Sequence, residues 1–332
     1  MNVQERKDLL VQIGNYMTGQ DEQWQHAKLK AQAENHWFIQ EFIELSIQSI
    51  ATSYLNAGQL QKLIDQYKIP MENAHPQKVG IVMAGNIPLA GFHDLLCVFL
   101  TGHKAIIKPS SKDEVLIKHL IKKMVELEPP VADKIMVQEI IKNCDAYITT
   151  GSNNSSRYFE YYFQKYPSII RKNRTSVAIL TGEETIEELL KLADDVFQYF
   201  GLGSRNVTQI YVPENYDFIP LLSAFRKYEY LSNHHKYKNN YDYNLAIHIL
   251  NKQYYMSNEN VLIIENSSPF SPIGQLNYQS YSDFHKLHEQ LRQNDMIQYI
   301  VSKKDIPFGE AHCPAITSYA DGVDTITFLM NL

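Results

Sequence analysis

The sequence has few cysteines and no long apolar run. Its three cysteines, Cys97, Cys144 and Cys313, are an odd number without paired spacing, which fits a reducing compartment better than a disulfide framework. No stretch approaches the roughly 18 apolar residues that a membrane span needs, and the first residues lack the apolar core of a signal peptide. We therefore expect a cytoplasmic protein in which each cysteine is a small buried apolar residue.

Basic charge is not in excess either. The net charge of −6 provides no electrostatic footprint for nucleic acid or for an anionic membrane, so neither is expected as a partner. Among the 332 residues, 44% are hydrophobic and 20% are charged, which is typical of a soluble globular enzyme. This length suits two domains, or one domain with a substantial second lobe.

Histidines are present without the spacing of a metal site. The closest pair, His234 and His235, lies in a polar stretch that predicts a surface loop. Because no third ligand follows at a usable spacing, we expect no metal there.

Hydrophobic periodicity divides the chain. Residues 1–72 contain almost no proline or glycine and place apolar residues at helical intervals, which predicts a helical region. From 78 to 180, β-branched runs alternate with helical segments, which predicts a doubly wound α/β domain. We expect an N-terminal helical region at 1–75, a nucleotide-binding α/β domain at 76–195, a smaller α/β catalytic lobe at 196–305, and a C-terminal segment at 306–332 that packs back.

The most informative stretch runs from Val79 to Ser111. A β-branched run ends in a small-residue turn, an apolar helical segment follows, and a second β-branched run ends in Lys-Pro. This is the pattern of a βαβ unit, where ligands bind at strand ends because the loop and the helix N-terminus offer unpaired N–H groups. Asn86 and Lys108 lie at these two strand ends.

A third strand end carries a glycine and a serine. In Thr150-Gly151-Ser152, glycine permits close approach of the backbone, and the serine hydroxyl can donate to a pyrophosphate. The same residues are also ordinary helix-capping material.

Taken in order, Asn-x-Pro, Lys-Pro-Ser and Thr-Gly-Ser resemble the cofactor-binding signature of the aldehyde dehydrogenase superfamily. The resemblance implies an aldehyde dehydrogenase-like α/β fold and an oxyanion-stabilising role for Asn86. It also implies a nicotinamide cofactor held by Met83, Ala84, Gly85, Lys108, Ser110, Ser111, Thr150, Gly151 and Ser152.

The family's nucleophile motif, Gly-x-x-Cys, resembles Gly201-Leu202-Gly203-Ser204 here, with serine in place of cysteine. A serine hydroxyl is far less acidic than a thiol and needs an adjacent base, and none is evident nearby in the sequence. Aldehyde-oxidising members often use a glutamate to activate the deacylating water, but the corresponding segment 171–177 has no carboxylate. This argues against aldehyde oxidation and is compatible with acyl-CoA reduction, where hydrolysis would be wasteful.

From about residue 76 onward, the chain resembles the LuxC-like acyl-CoA reductases, on the segment from Arg171, on Pro307-Phe308-Gly309 and on Tyr319–Thr325. The resemblance implies reduction of an acyl thioester through position 204, and by analogy a homodimer. For Tyr319–Thr325 itself we expect a turn and a short helix.

The residues after Lys108 favour NADPH over NADH. NAD-selective sites commonly place a carboxylate on the adenosine ribose, and many NAD-using relatives have Glu at the position of Ser111. Nothing at Ser110 or Ser111 repels a 2′-phosphate, and Lys108 can attract it.

Serine at position 204 is also compatible with two functions other than acyl-CoA reduction. The chain could be a nucleotide-binding pseudoenzyme of the same fold, or Ser204 could act in acyl transfer with a histidine from elsewhere in the chain. The second is the less favoured, because Arg205 and Asn206 follow and no Gly-x-Ser-x-Gly elbow is present.

Overall fold

The computed structural model describes all 332 residues apart from the side chain of Asn153. The chain divides into two compact units, which are Met1–Asn173 with Pro314–Leu332, and Arg174–Cys313. The second unit contains the whole of the stretch 196–305, for which we predict a catalytic lobe. No helix among the described residues is long and apolar enough to cross a membrane.

The first unit begins with four helices, α1 (Val3–Thr18), α2 (Glu22–Glu34), α3 (Gln40–Ser53) and α4 (Ala57–Tyr67). The helical prediction for this region is confirmed. Side-chain oxygens fix the helix starts: Asn2 and Glu5 form a capping box on α1, and Asp21 accepts hydrogen bonds from the first turn of α2. The buried faces of these helices join the core of the unit.

The sheet of the first unit has five parallel strands. They are β1 (Lys78–Val82), β2 (Lys104–Lys108), β3 (Ile135–Val137), β4 (Ala146–Thr150) and β5 (Ser168–Arg171). Their order in the sheet is β3-β2-β1-β4-β5. The chain therefore steps outward from β1 to β3 and then returns to β4 on the other side of β1, which makes β1 and β4 the switch point of a doubly wound sheet.

Helices cover both faces of this sheet. They are α5 (Phe92–Leu100), α6 (Val115–Leu127) and α7 (Asn153–Phe163). Ala105 and Ile107 belong to the large core that includes α5 and α6, whereas Ile106 points to the opposite face. On that face the ring of Tyr147 stacks on Phe163 of α7, with ring centroids 3.9 Å apart. The predicted doubly wound α/β fold is confirmed.

The second unit contains a six-stranded sheet in the order β11-β6-β7-β10-β9-β8. Its strands are β6 (Thr175–Ile179), β7 (Val207–Pro213), β8 (Met256–Ser257), β9 (Leu262–Glu265), β10 (Gln275–Tyr281) and β11 (Ile297–Val301). All pairings are parallel except that of β8 with β9. Its helices are α8 (Ile186–Phe197), α9 (Ile219–Ala224), α10 (His235–Leu250) and α11 (Phe284–Arg292), and the C-terminal helix α12 (Thr325–Met330) returns to the first unit.

Several local predictions differ from the structure. β6, which strand and helix alternation groups with the first domain, pairs within the second sheet. Hydrophobic alternation does not predict β10, because the buried face of this strand is polar. Gln275 accepts a hydrogen bond from His248 at 2.8 Å, and Asn277 donates to two main-chain carbonyls. The predicted loop at His234 is instead the N-cap of α10, where its Nδ1 accepts from Tyr237 N.

The three cysteines are free thiols, as predicted, but not all are buried. Cys97 and Cys144 are buried, whereas Cys313 is exposed, so the expectation of a buried residue there is wrong. Cys313 N closes a turn on the carbonyl of Glu310, and an exposed turn leaves its side chain at the surface. At the C-terminus, the turn Ala320–Gly322 followed by α12 confirms the expected turn and short helix.

Candidate functional site

The loops that follow β1, β2 and β4 lie side by side, and we call them the strand-end loops: 83–91, 109–114 and 151–152. Because these three strands are parallel neighbours, their carboxyl ends meet at one edge of the sheet. This edge is the switch point, where open α/β sheets bind ligands. The structure brings to it Met83, Ala84, Gly85, Asn86, Lys108, Ser110, Ser111, Thr150, Gly151 and Ser152.

The first two strand-end loops pack tightly together. Met83 N donates to the carbonyl of Lys108 at 3.0 Å. A Cβ built on Gly85 would lie 2.5 Å from Ser110 Oγ, so only glycine fits there. Lys108 is the last residue of β2, and its side chain is exposed. The two loops are therefore closely packed against each other beside a strand end that carries an exposed lysine.

The third strand-end loop leads into a helix N-terminus. Ser152 Oγ accepts from Ser155 N at 3.3 Å and lies 3.1 Å from Ser155 Oγ, which caps α7. A Cβ on Gly151 would lie 2.9 Å from Ser155 Cβ. The N-terminus of this 11-residue helix adds partial positive charge at the same edge, which favours an anion.

Asn86 is exposed at the start of the loop that leads to α5. Two buried side chains hold this loop from outside. Ser46 Oγ on α3 donates to the carbonyl of Pro88 at 2.6 Å, and Asp113 Oδ2 accepts from Leu89 N at 2.6 Å. Burial raises the pKa of the Asp113 carboxyl well above its usual range. Sequence reasoning missed both supports, because neither stands in a recognisable motif.

Ser204 belongs to the second unit and occupies a closed turn. Asn206 N donates to the carbonyl of Gly203 at 3.1 Å, and Gly203 N donates to Asn206 Oδ1 at 2.8 Å. Ser204 is therefore a central residue of a tight turn, and its own N–H is not used in closing it. Its carbonyl accepts from Ser176 Oγ at 3.2 Å, and its side chain is exposed.

The chain reaches this turn through an unusual backbone. Tyr199, Phe200 and Gly201 have φ values of 54°, 57° and 74°, a left-handed conformation that bulky residues rarely adopt. The side-chain nitrogen of Asn206, Nδ2, lies 3.1, 3.2 and 2.8 Å from the carbonyl oxygens of Asp195, Val196 and Gln198. This buried amide thereby satisfies carbonyls that the end of α8 leaves open.

Two buried ionisable groups lie close to the Asn206 side chain or to the main-chain carbonyl that it contacts. Asn206 Nδ2 lies 3.1 Å from His312 Nε2, and the His312 ring also donates a hydrogen bond to the main chain of Asp195. Burial, together with the charge of Arg205, lowers the pKa of His312 to about 3, so the ring is neutral. Asp195 accepts from Gly309 N at 2.6 Å and Ala311 N at 3.0 Å, and burial raises its pKa to about 7. No pattern in the sequence marks these residues.

The segment 171–177 has a structural role at its start. Arg171, at the end of β5, forms a buried ion pair with Asp94 of α5 and donates to Thr325 Oγ1 at 3.0 Å. Thr175 and Ser176 begin β6. Among the described side chains, no group of three or more His, Cys, Asp or Glu is arranged to hold a metal ion.

Residues 18–202 match the protein family model described as Acyl-CoA reductase (LuxC), which is more than half of the chain. The match ends just before Ser204. A "Long-chain acyl-protein thioester reductase" from Aliivibrio fischeri is 24% identical over 143 residues, covering 38% of this chain and 30% of that protein. The matched region thus spans less than a third of this relative's length.

Solved structures of aldehyde dehydrogenases share the fold. Aldehyde dehydrogenase 21 from Physcomitrella patens, in complex with succinate, superposes with a TM-score of 0.69 at 13% identity, covering 100% of this chain and 84% of that chain. An indole-3-acetaldehyde dehydrogenase mutant from P. syringae, in complex with NAD⁺ and IAA, gives a TM-score of 0.66 at 11% identity and covers 91% and 72%. The predicted aldehyde dehydrogenase-like fold is confirmed.

Proposed function

Because the chain belongs to the LuxC acyl-CoA reductase family, we propose that it reduces an acyl thioester, such as an acyl-CoA, to an aldehyde with a nicotinamide cofactor. The observation that carries this proposal is the meeting of the three strand-end loops at the switch point of the first sheet. Lys108 and the N-terminus of α7 supply positive charge there for the anionic part of a dinucleotide.

The strand-end loops fit a dinucleotide by their shape and donors. Gly85 and Gly151 allow the loops to pack closely, because Ser110 and Ser155 occupy the space that a Cβ would need. Lys108, Ser110 and Ser111 offer one cation and two hydroxyls and no carboxylate, which suits the 2′-phosphate of NADPH. The bound cofactor would supply the hydride that the reaction needs.

Position 204 is assigned to take the acyl group. Its side-chain atom gives up its proton and bonds to the thioester carbonyl carbon, the carbonyl electrons move to oxygen, and their return breaks the carbon–sulfur bond, so that the sulfur takes up a proton and leaves as the thiol. The N–H of residue 204, which the turn does not use, and the side-chain amide of Asn86 are assigned as donors to the oxyanion. Asn206 and Ser176 hold the turn while these bonds change.

Serine at position 204 favours a second candidate function. Attack by serine would leave an oxygen ester, whose carbon resists hydride more than that of a thioester, and the hydroxyl needs a base. His312 is buried, neutral and engaged with Asn206, which speaks against a serine acyl transferase that uses this histidine as its base. The alternative is therefore a nucleotide-binding pseudoenzyme that keeps the fold and the dinucleotide edge.

One assay separates the two functions. NADPH oxidation is followed with acyl-CoA substrates of several chain lengths, and aldehyde and free CoA are measured as products. A reductase forms both products in equal amounts, either as the chain stands or after Ser204→Cys. A pseudoenzyme binds NADPH and forms neither product in either version.

A further inference from the structure

Asp113 is a buried carboxyl that the proposed chemistry does not use. It lies in the turn after β2 and is 6% exposed. Its Oδ2 accepts from Leu89 N at 2.6 Å and also receives a hydrogen bond from Ala90 N, while Oδ1 is buried without a hydrogen-bond partner among the described atoms. Burying a carboxyl group costs free energy, which its hydrogen bonds to the loop have to offset.

That task is visible in the loop that Asp113 holds. Leu89 has a φ of 57°, which costs a branched side chain about 1 kcal/mol or more. The loop is short and runs from Asn86 to the start of α5 at Phe92. Without the carboxyl oxygen, Leu89 N and Ala90 N would lose their hydrogen-bond acceptor. The loop would then relax away from the left-handed φ of Leu89.

The same turn also touches the predicted cofactor residues. Asp113 N donates to the carbonyl of Ser110 at 2.9 Å, and Ser110 packs against Gly85. The main chain of Asp113 thus closes the turn that carries Ser110 and Ser111, while its side chain reaches the Asn86 loop.

We propose that Asp113 is a positioning residue that fixes the Asn86 loop to the turn at Ser110–Asp113, so that Asn86 and the dinucleotide edge keep one geometry. This inference rests on the proposed function, because it matters for catalysis only if Asn86 donates to the oxyanion. Asp113 acts through Asn86 and touches no reacting atom.

Three variants separate this role from a general contribution to stability. Asp113→Asn keeps an oxygen for the two N–H groups and should preserve the loop, whereas Asp113→Ala removes the acceptor. Asp145→Ala is the matched control, because Asp145 Oδ2 accepts from Lys78 N at 2.8 Å at the opposite end of β1. Asp113→Ser, whose side chain is too short to reach the loop, serves if Asp113→Ala does not fold.

Hydrogen exchange tests the contact in the chain as it stands, without any need for turnover. In Asp113→Ala the amide protons of residues 89 and 90 should exchange about tenfold faster or more, since each loses a hydrogen bond to a carboxyl group. Asp113→Asn and Asp145→Ala should leave both exchange rates near those of the parent. Unchanged exchange in Asp113→Ala would overturn the inference, whatever the enzyme assay shows.

Kinetics in a Ser204→Cys background test the consequence for Asn86. Asp113→Ala should lower kcat about tenfold or more with little change in dinucleotide affinity, because the main chain of residue 113 still closes the turn at Ser110, and Asp113→Asn should restore kcat. In an Asn86→Ala background, the same substitution should change kcat less than about threefold, because the group it positions is gone. Additive losses would refute positioning. If Ser204→Cys never turns over while amides 89 and 90 lose protection, the proposed function fails and the structural contact stands.

Discussion

The two units build their predicted functional residues in different ways. In the first unit, these residues are the last residues of three parallel strands and the loops that follow them, so the sheet brings them to one edge and Asp113 then fixes the Asn86 loop there. In the second unit, Ser204 stands in a turn that no strand end imposes. That turn depends on left-handed residues and on one buried amide, that of Asn206.

This difference predicts that the two sites respond differently to substitution. A strand end is fixed by a ladder of main-chain hydrogen bonds, so changing one exposed side chain there alters chemistry and leaves the geometry intact. A turn held by a single buried side chain loses its geometry when that side chain is lost. Variants of the exposed side chains at the strand ends should therefore affect binding or rate, and variants of Asn206 should affect folding.

The largest effect is expected at position 204. Ser204→Cys adds a group with a pKa of about 8.5, which gives usable thiolate at neutral pH, and it forms a thioester whose carbon accepts hydride more readily than that of an ester. Acyl-CoA reduction should rise from little or none to a measurable rate, and intact mass should show a covalent acyl adduct.

Ser204→Ala is the matched control, since it keeps the small exposed side chain and has no nucleophile. It should bind NADPH and neither acylate nor turn over. A fully active Ser204 chain would refute the thiolate argument. A Ser204→Cys variant that never acylates would favour the pseudoenzyme.

The second-largest effect is expected for Asn86→Ala. An oxyanion donor acts on charge that exists only in the transition state, so kcat should fall by about 10²–10³-fold while dinucleotide affinity stays nearly constant. Because Asn86 is exposed, the fold should tolerate its loss. The measurement is kcat beside a separate binding titration in the Ser204→Cys background. Collapse of dinucleotide affinity with little change in rate would make Asn86 a structural residue.

Sequence patterns predicted the first unit well because its signals are local. The β-branched runs at β1 and β2 end in turn residues at the observed strand ends, and the apolar helical segment between them is α5. The second unit was harder because its signals are not local. The polar residues of β10 find hydrogen-bond partners far away in sequence, such as His248, so a buried strand looks like a surface segment.

The sequence does not predict the two residues that hold the candidate site in place, for the same reason. From the sequence alone, Asp113 looks like an ordinary residue before a helix, and Asn206 looks like an ordinary turn residue before β7. Their importance follows from partners 24 and 8 to 11 positions away, which a single sequence does not reveal. The family resemblance supplied the roles of Asn86 and position 204, and these roles stay predictions.

Asn206→Ala should destabilise the second unit by about 2–4 kcal/mol, because it leaves several buried carbonyls and Gly203 N without partners. Asn244→Ala is the matched control, since Asn244 Nδ2 donates to one carbonyl, that of Ile273, at 3.0 Å. Its cost should be about 1 kcal/mol or less. Urea unfolding of both variants measures the difference. Equal costs would show that the turn at Ser204 does not depend on the Asn206 amide.

Asp195 and His312 should give the second unit opposing pH dependences. The raised pKa of Asp195, about 7, means that its contribution to stability is present below about pH 4 and is lost as the pH rises through 7. The lowered pKa of His312, about 3, means that its contribution is present above about pH 6.5 and is lost as the pH falls toward 3. Between about pH 4 and 6.5 the two slopes oppose each other.

Removing either group should expose the slope of the other. Relative to the parent, Asp195→Asn should gain stability as the pH rises from 4 to 7, and His312→Gln should gain stability as the pH falls from 6.5. Each slope should be on the order of 1 kcal/mol per pH unit. Denaturant unfolding at pH 4.5, 5.5 and 6.5 gives both differences. Parallel curves for all three chains would contradict the assignment of these two groups.

The smallest effect concerns the choice of dinucleotide. NADPH should bind about tenfold or more tightly than NADH, because Lys108 attracts the 2′-phosphate and no carboxylate at Ser110 or Ser111 repels it. Ser111→Glu introduces that carboxylate at an exposed position and should weaken NADPH selectively, while Ser111→Gln, similar in size and uncharged, should not. Titration of each chain with both dinucleotides at fixed salt gives the affinities. Since screening weakens charge effects, the preference for NADPH should shrink as salt is raised. Clearly tighter binding of NADH by the parent chain would refute the assignment of NADPH, and it would leave the strand-end loops as a dinucleotide site with the opposite selectivity.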